Sequence, residues 1–263
     1  GLHSRLEKLN YYFNNSLTTG EKAVNRNLDF SKAHHIVLSY DWNLSDLVHL
    51  EVEPYYQRLF SVPVIRDSSF SFINLQSDLF FGGKLQNTGV GRNYGIDLTL
   101  EKYVSKGYYY LLSGSVFNAE YKGGDGIWRN TRFNRRYVAN FLIGKEWAMG
   151  RNRQNTFSLN TRLSYQGGNW FSPVDEAASR KAQAVVYDET RAYSVQSAPM
   201  LHVHFTAIYR INKKKRAGEL ALKILNLTQQ PDFRGHLFNR LTNAVDKELP
   251  SLTIPNLSYQ VEF

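Results

Sequence analysis

The chain has 263 residues and a formal net charge of +9, with 42% hydrophobic, 14% aromatic and 21% charged residues. Cysteine is absent, so neither a disulfide framework nor a thiolate metal centre is available. Mean hydropathy is -0.43, and no run approaches the roughly 18 apolar residues of a membrane-crossing helix, which excludes helical membrane proteins but not a barrel, where only alternate residues meet lipid.

No composition break divides the chain, which is therefore one unit over 1-263. Alternating apolar and polar residues over the length a tilted strand needs to cross a bilayer predict strands near 2-13, 33-43, 47-61, 91-103, 107-119, 135-148, 154-167, 199-211, 217-227 and 252-263. In the second, Ile36, Leu38, Tyr40 and Trp42 alternate with Ser39 and Asp41. In the third, Val48, Leu50, Val52 and Tyr56 oppose His49, Glu51 and Glu53; in the fourth, Tyr94, Ile96, Leu98 and Leu100 oppose Asp97, Thr99 and Glu101. Further on, Phe157, Leu159, Leu163 and Tyr165 alternate with Ser158, Asn160, Arg162 and Ser164, while Leu201, Val203, Phe205, Ala207 and Tyr209 face away from His202, His204, Thr206 and Arg210. The last strand places Leu257, Tyr259, Val261 and Phe263 on one face and Asn256, Ser258, Gln260 and Glu262 on the other.

Connections alternate in length: long at 14-32, 62-90, 120-134, 168-198 and 228-251, short at 44-46, 104-106, 149-153 and 212-216. Short periplasmic turns on one rim and long external loops on the other are the pattern of outer-membrane barrels. Aromatic residues near predicted strand ends (Tyr11, Tyr12, Tyr55, Tyr56, Tyr108 to Tyr110, Trp147) fit interfacial girdles. The expected fold is all-β: a transmembrane antiparallel β-barrel with about ten strands in this chain.

Chemistry-bearing motifs are few. The basic runs Lys213 to Arg216 and Arg129, Arg132, Arg135 and Arg136 lie at opposite rims, unlike the single basic face of a nucleic-acid module, and no nucleic-acid partner is expected. The turn run keeps its strand ends in water, and the loop arginines suit lipid or lipopolysaccharide anions. His202 and His204 share a strand face but have no third ligand fixed nearby, so they read as residues of a wet wall, and no metal is expected. Asp125 within GGDG lacks the spaced oxygens of a calcium loop, and the pairs Asp175-Glu176 and Asp188-Glu189 act as acid and base only if a loop folds them around a substrate. No nucleotide, nucleophile-elbow or zinc-helix motif is present, and neither a cofactor nor enzymatic activity is expected.

The stretch GRNYGIDLTLEKYVSKGYYYLLSGSVFNAEYKGGDGIWRNTRFNRRYVANFLIGKEW (91-147) resembles the carboxy-terminal part of TonB-dependent outer-membrane receptors. So do GLHSRLEKLNYYF at the start, NRNLDFSKAHHIVLSYDW (25-42), VEPYYQRLFSVPV (52-64), SPVDEAAS (172-179), VVYDETRAYS (185-194) and IPNLSYQVEF at the end, in particular in the branch carrying a carboxypeptidase-regulatory-like domain ahead of the plug. The resemblance implies the last ten strands of a barrel of about 22, with plug and amino-terminal strands absent here, and uptake of a scarce ligand such as a siderophore, glycan or peptide. It also implies partnership with the TonB machinery through the missing plug, with the barrel assembly machinery and with a surface lipoprotein.

For ligand contact the sequence offers Trp128, Arg129, Asn130, Arg132, Phe133 and Asn134, which combine stacking surface with hydrogen-bond donors in one external loop. Tyr259, Val261 and Phe263 form the exposed row of an assembly signal. A small outer-membrane barrel enzyme resembling a surface protease is the alternative; it requires histidines and carboxylates converging at the external rim.

Overall fold

The computed structural model describes residues 1-15, 20-75 and 83-262. In chain order the elements are β1 (Leu2–Arg5), α1 (Leu9–Tyr12), β2 (Ser31–Val37), β3 (Tyr40–Ser45), β4 (Val48–Val64), β5 (Gln86–Ser105), β6 (Tyr108–Lys122), β7 (Trp128–Asn130), β8 (Tyr137–Met149), β9 (Asn155–Gln166), β10 (Trp170–Phe171), α2 (Glu176–Ala182), β11 (Val195–Gln196), β12 (Met200–Lys213), β13 (Arg216–Leu225), β14 (Gly235–Asn239), β15 (Ala244–Glu248) and β16 (Ile254–Glu262). Twelve of these strands form one sheet in the order β1-β2-β4-β5-β6-β8-β9-β12-β13-β16, with β3 also on β4 and β7 also on β6. Every pairing in it is antiparallel, and strands follow one another around the wall much as they do along the chain. Among the described residues no pairing joins β1 to β16, so both edges are open.

Register converts the alternation along each strand into bands across the sheet, because a side-chain period of two keeps directly paired residues on one face. One band runs Trp42, Leu50, Leu100, Leu112, Phe141, Leu163, Val203 through seven strands without a polar side chain. The next runs Tyr40, Val52, Leu98, Gly114, Ala139, Tyr165, Leu201, and nearer the tight turns Trp147, Phe157, Tyr209, Leu220 and Tyr259 lie side by side. On the opposite face the corresponding band is Asp41, Glu51, Thr99, Ser113, Asn140, Ser164 and His202. Many outer-face side chains remain open, Leu257 and Tyr259 among them at 71% and 68% exposure. A soluble sandwich would bury such a face against a second sheet.

The predicted strands correspond to observed ones with two differences. Region 2-13 is not one strand: β1 stops at Arg5 and Leu9–Tyr12 turns into α1, whose Tyr11 and Tyr12 are buried rather than placed at an interface. Region 33-43 splits into β2 and β3 on the same edge of β4. The ladder breaks opposite Pro54, which has no N–H to donate, and Leu38 N donates to the Pro54 carbonyl at 3.1 Å.

Tight connections join β3 to β4, β5 to β6, β8 to β9 and β12 to β13 at one end of the sheet. The β5-β6 turn has Lys106 and Gly107 both at positive φ, 52° and 79°, the hairpin geometry that matches strand twist. At the other end the long connections pack together. Ser61, at φ 54°, marks a bulge in β4 and a register shift between Leu59 and Val62. Beyond it Tyr11, Val62, Phe72 and Leu85 form a small core with Leu59 and Ile73, over the polar-face register of Ala33, Leu59, Gly91 and Tyr121. The loops thus fold over the polar face, which is the inner one.

Candidate functional site

Beneath that loop layer lies an inner-face cavity of about 570 Å³, lined by His35, Val37, Glu53, Tyr55, Gln57, Asn93, Asp97, Phe117, Ala119 and Phe133. A second hollow of about 420 Å³ adjoins it, sharing Glu53, Tyr55, Asp97 and Phe117 and adding Thr99, Ser113, Ser115 and Asn140. The strand pairing builds the wall: His35, Gln57, Asn93 and Ala119 lie in one transverse band, Val37, Tyr55, Gly95 and Phe117 in the next, and Glu53 faces Asp97 directly in the one after it. Asn93 Nδ2 donates to Gln57 Oε1 at 2.7 Å. Neither Glu53 nor Asp97 is in an ion pair among the described residues. The arrangement offers carboxylate acceptors beside aromatic faces, suited to a ligand with amino or hydroxyl donors and a flat apolar part. In the sequence this cluster shows only as acidic residues spaced along neighbouring strands (Glu51, Glu53, Asp97, Glu101); the β4-β5 register brings Glu53 and Asp97 together.

The six loop residues read as ligand contacts are dispersed. Phe133 alone lines the inner cavity and is 48% exposed, with the Arg132 guanidinium 5.5 Å from its ring centre. Arg132 N donates to Asn74 Oδ1 at 2.9 Å, and its carbonyl accepts from Trp170 N. Arg129 is engaged by Asp125 through two bonds of 2.9 and 2.6 Å, with only 8% of its side chain exposed. That contact holds the Asp125 carboxyl below its ordinary value and raises the guanidinium. Asn134 is buried: its Oδ1 accepts from Ala119 N, and its Nδ2 donates to Asn118 Oδ1 and Asn130 Oδ1, both at 2.8 Å. Trp128 pairs with Lys122 on the outer-face register, with the Arg92 guanidinium 4.5 Å and the Lys122 ammonium 5.3 Å from its ring centre.

Other flagged groups have local duties. Asp175 caps α2 by accepting from Ala178 N, and Asp188 accepts from Thr190 and Arg191, which hold its carboxyl down at about 2. His202 and His204 stack 6.3 Å apart on the inner face, and His204 Nδ1 accepts from Asn226 N. No cluster of three or more His, Asp or Glu capable of holding a metal occurs among the described residues. His236 packs in the last loop against Phe171, Phe233 and Tyr187, and burial lowers its pKa. Of the aromatics read as girdle residues, Tyr108, Tyr110 and Trp147 stand on the outer face near the tight turns, whereas Tyr55 faces the inner cavity. Tyr259 and Val261 lie on the outer-face register of β16, opposite Leu220 and Gly218; Phe263 lies outside the described residues.

An open antiparallel meander with an apolar outer face, a polar inner face, tight turns at one rim and packed loops at the other has the architecture of part of a transmembrane β-barrel wall. No family model matches the chain, and no curated protein matches it. Among solved structures it is similar to the ferric yersiniabactin uptake receptor FyuA from Yersinia pestis, with a TM-score of 0.54 and 12% identity over 89% of this chain. The matched part is 30% of the receptor's chain, so this sequence spans less than a third of that protein's length.

Proposed function

We propose that the chain is the carboxy-terminal portion of the barrel of a TonB-dependent outer-membrane transporter, in the branch with a carboxypeptidase-regulatory-like domain, acting in uptake of a scarce ligand. The observation that carries this reading is the seven-strand apolar band from Trp42 to Val203, backed by the polar band from Asp41 to His202. In lipid every backbone polar group needs a partner, so the open edges at β1 and β16 call for further strands that complete the cylinder. The likeness in fold to a siderophore receptor supports transport as the general activity and agrees with a non-enzymatic role. Ligand contact is assigned to the inner cavity of Glu53, Tyr55 and Asp97 together with Phe133, the exposed loop residue that reaches it. Trp128 to Arg132 and Asn134 then shape the loop around it. The TonB machinery, the barrel assembly machinery and a surface lipoprotein are the partners this reading implies.

The test is fractionation of cells producing the protein that carries this chain, followed by growth under limitation of iron, glycan or peptide with and without it. Recovery in the outer membrane, with a growth defect on one ligand class when the gene is deleted, is expected. Recovery in the soluble or inner-membrane fraction would overturn the reading.

A further inference from the structure

On the outer face, two cations meet one aromatic residue at the tight-turn rim. Lys145 is in the outer-face register, opposite Tyr108 and Leu159, and its ammonium lies 3.4 Å from the centre of the Tyr108 ring and 5.6 Å from that of Trp147. Lys102, opposite Val48 and Tyr110 on the same face, sends its Nζ to within 3.4 Å of the Tyr108 carbonyl oxygen. Neither lysine is in an ion pair among the described residues. The four tight turns and their flanking residues add Lys106, Arg151, Arg153, Lys213, Lys214, Lys215 and Arg216 against the single acid Asp46. An uncompensated cation on a lipid-facing surface is costly unless its long stem brings the charge to headgroup level.

We propose that Lys102 and Lys145, clasping Tyr108, form a binding site for the phosphate of an anionic glycerophospholipid in the leaflet that meets the tight turns. This rests on the membrane reading above and goes beyond it by naming the lipid class and the residues. Charge complementarity selects the occupant. The tyrosine ring and the apolar bands of Leu159 and Ile143 take the acyl chains, the two ammonium groups take the phosphate, and the surrounding turn cations favour a net negative headgroup over a zwitterionic one.

The experiment uses the purified full-length protein in detergent, offered equal amounts of phosphatidylglycerol and phosphatidylcholine, with retained lipid counted by native mass spectrometry. Insertion into vesicles is followed separately by heat-modifiable migration. Preferential retention of phosphatidylglycerol is expected, falling about fivefold with K102Q or K145Q and about thirtyfold with both. The K102R/K145R variant should keep the preference and K214Q/K215Q should leave most of it, which separates the site from general rim charge. Glycerol 3-phosphate at the same concentration should not displace the lipid; equal displacement would mean a free-phosphate site and overturn the proposal. Insertion with no preference for phosphatidylglycerol would overturn it while leaving the barrel reading intact, whereas failure to insert would remove both.

Discussion

Asp125, in the loop after β6, and Arg129, on the short strand β7 that follows it, form a two-pronged ion pair at 2.6 and 2.9 Å, with side chains only 19% and 8% exposed. A guanidinium that reads in the sequence as a ligand donor is thus engaged inside its own loop. Asp125 Oδ1 also accepts from Ile127 N, so the pair sets the path of the chain into β7. Arg129→Met should leave a largely buried carboxylate without its partner and cost about 3 kcal/mol of local stability, read as faster amide exchange over residues 123-130. The pair also has a pH signature. Asp125 is held below its ordinary 3.8 chiefly by the Arg129 hydrogen bonds, so its contribution is full above that pH and is lost as pH falls through the lower folded value. Protection factors in this loop, corrected for the intrinsic pH dependence of amide exchange, that stayed flat on acidification from pH 5 to pH 2 would contradict the assignment.

Leu100 and Thr99 are neighbours on β5 that face opposite ways, Leu100 between Leu50 and Leu112, Thr99 between Glu51 and Ser113. Leu100→Arg puts a cation into the fully apolar band and should cost about 2 to 4 kcal/mol in a bilayer. Thr99→Arg points toward Glu51 in a wet interior and should be close to neutral. Unfolding titrations in vesicles measure both, and equal costs would mean that the two faces do not divide lipid from water.

Sidedness follows from the same alternation. Leu241, 98% exposed at the tip of the β14-β15 hairpin, and Lys214 in the β12-β13 turn lie at opposite rims. Single cysteines at these positions should label differently with an impermeant thiol reagent on intact cells, Leu241→Cys reacting and Lys214→Cys not. Gly124, another site in the long-loop rim, is unsuitable because any Cβ there would run into the Ile65 carbonyl. Labelling of Lys214→Cys alone would reverse the topology.

What the sequence made legible was whatever depends on period two and on connection length. The strands near 47-61, 154-167 and 199-211 lie within about two residues of β4, β9 and β12 at most of their ends, the usual uncertainty of a strand boundary. Pro54 was visible, but its effect depended on which residue faced it, so the break between β2 and β3 was not. Leu9–Tyr12 followed the strand alternation, yet Tyr11 turned inward to meet Phe72, at a ring distance of 5.0 Å, a partner 61 positions away. The loop residues were legible by type and not by direction: Arg129 and Phe133 offer similar promise in a string of letters, and only the fold sends one into Asp125 and the other to the cavity. Glu53 and Asp97 needed the β4-β5 register before they could be seen as one feature.

Gly144 tests the inner wall at a single carbon. It lies on β8 between Tyr109 of β6 and Asn160 of β9, and the Tyr109 hydroxyl donates to Asn160 Oδ1 across the space that its missing side chain leaves open. A Cβ at 144 would collide with the Tyr109 ring and hydroxyl and with the Asn160 amide oxygen at once, so the two side chains would have to part and give up the hydrogen bond between them. Gly144→Ala should therefore destabilise the barrel by about 1 to 3 kcal/mol, the usual cost of overpacking, seen as a lower temperature for loss of the heat-modifiable form. Gly114→Ala provides the control, since that Cβ would meet only the Val138 carbonyl at 3.7 Å and would stand on the outer face. Adding Tyr109→Ala to Gly144→Ala should recover the part of the loss that comes from the collision while losing the hydroxyl bond, so the double variant should be more stable than the sum of the two single changes. Strict additivity would show that Tyr109 does not fill the space above Gly144.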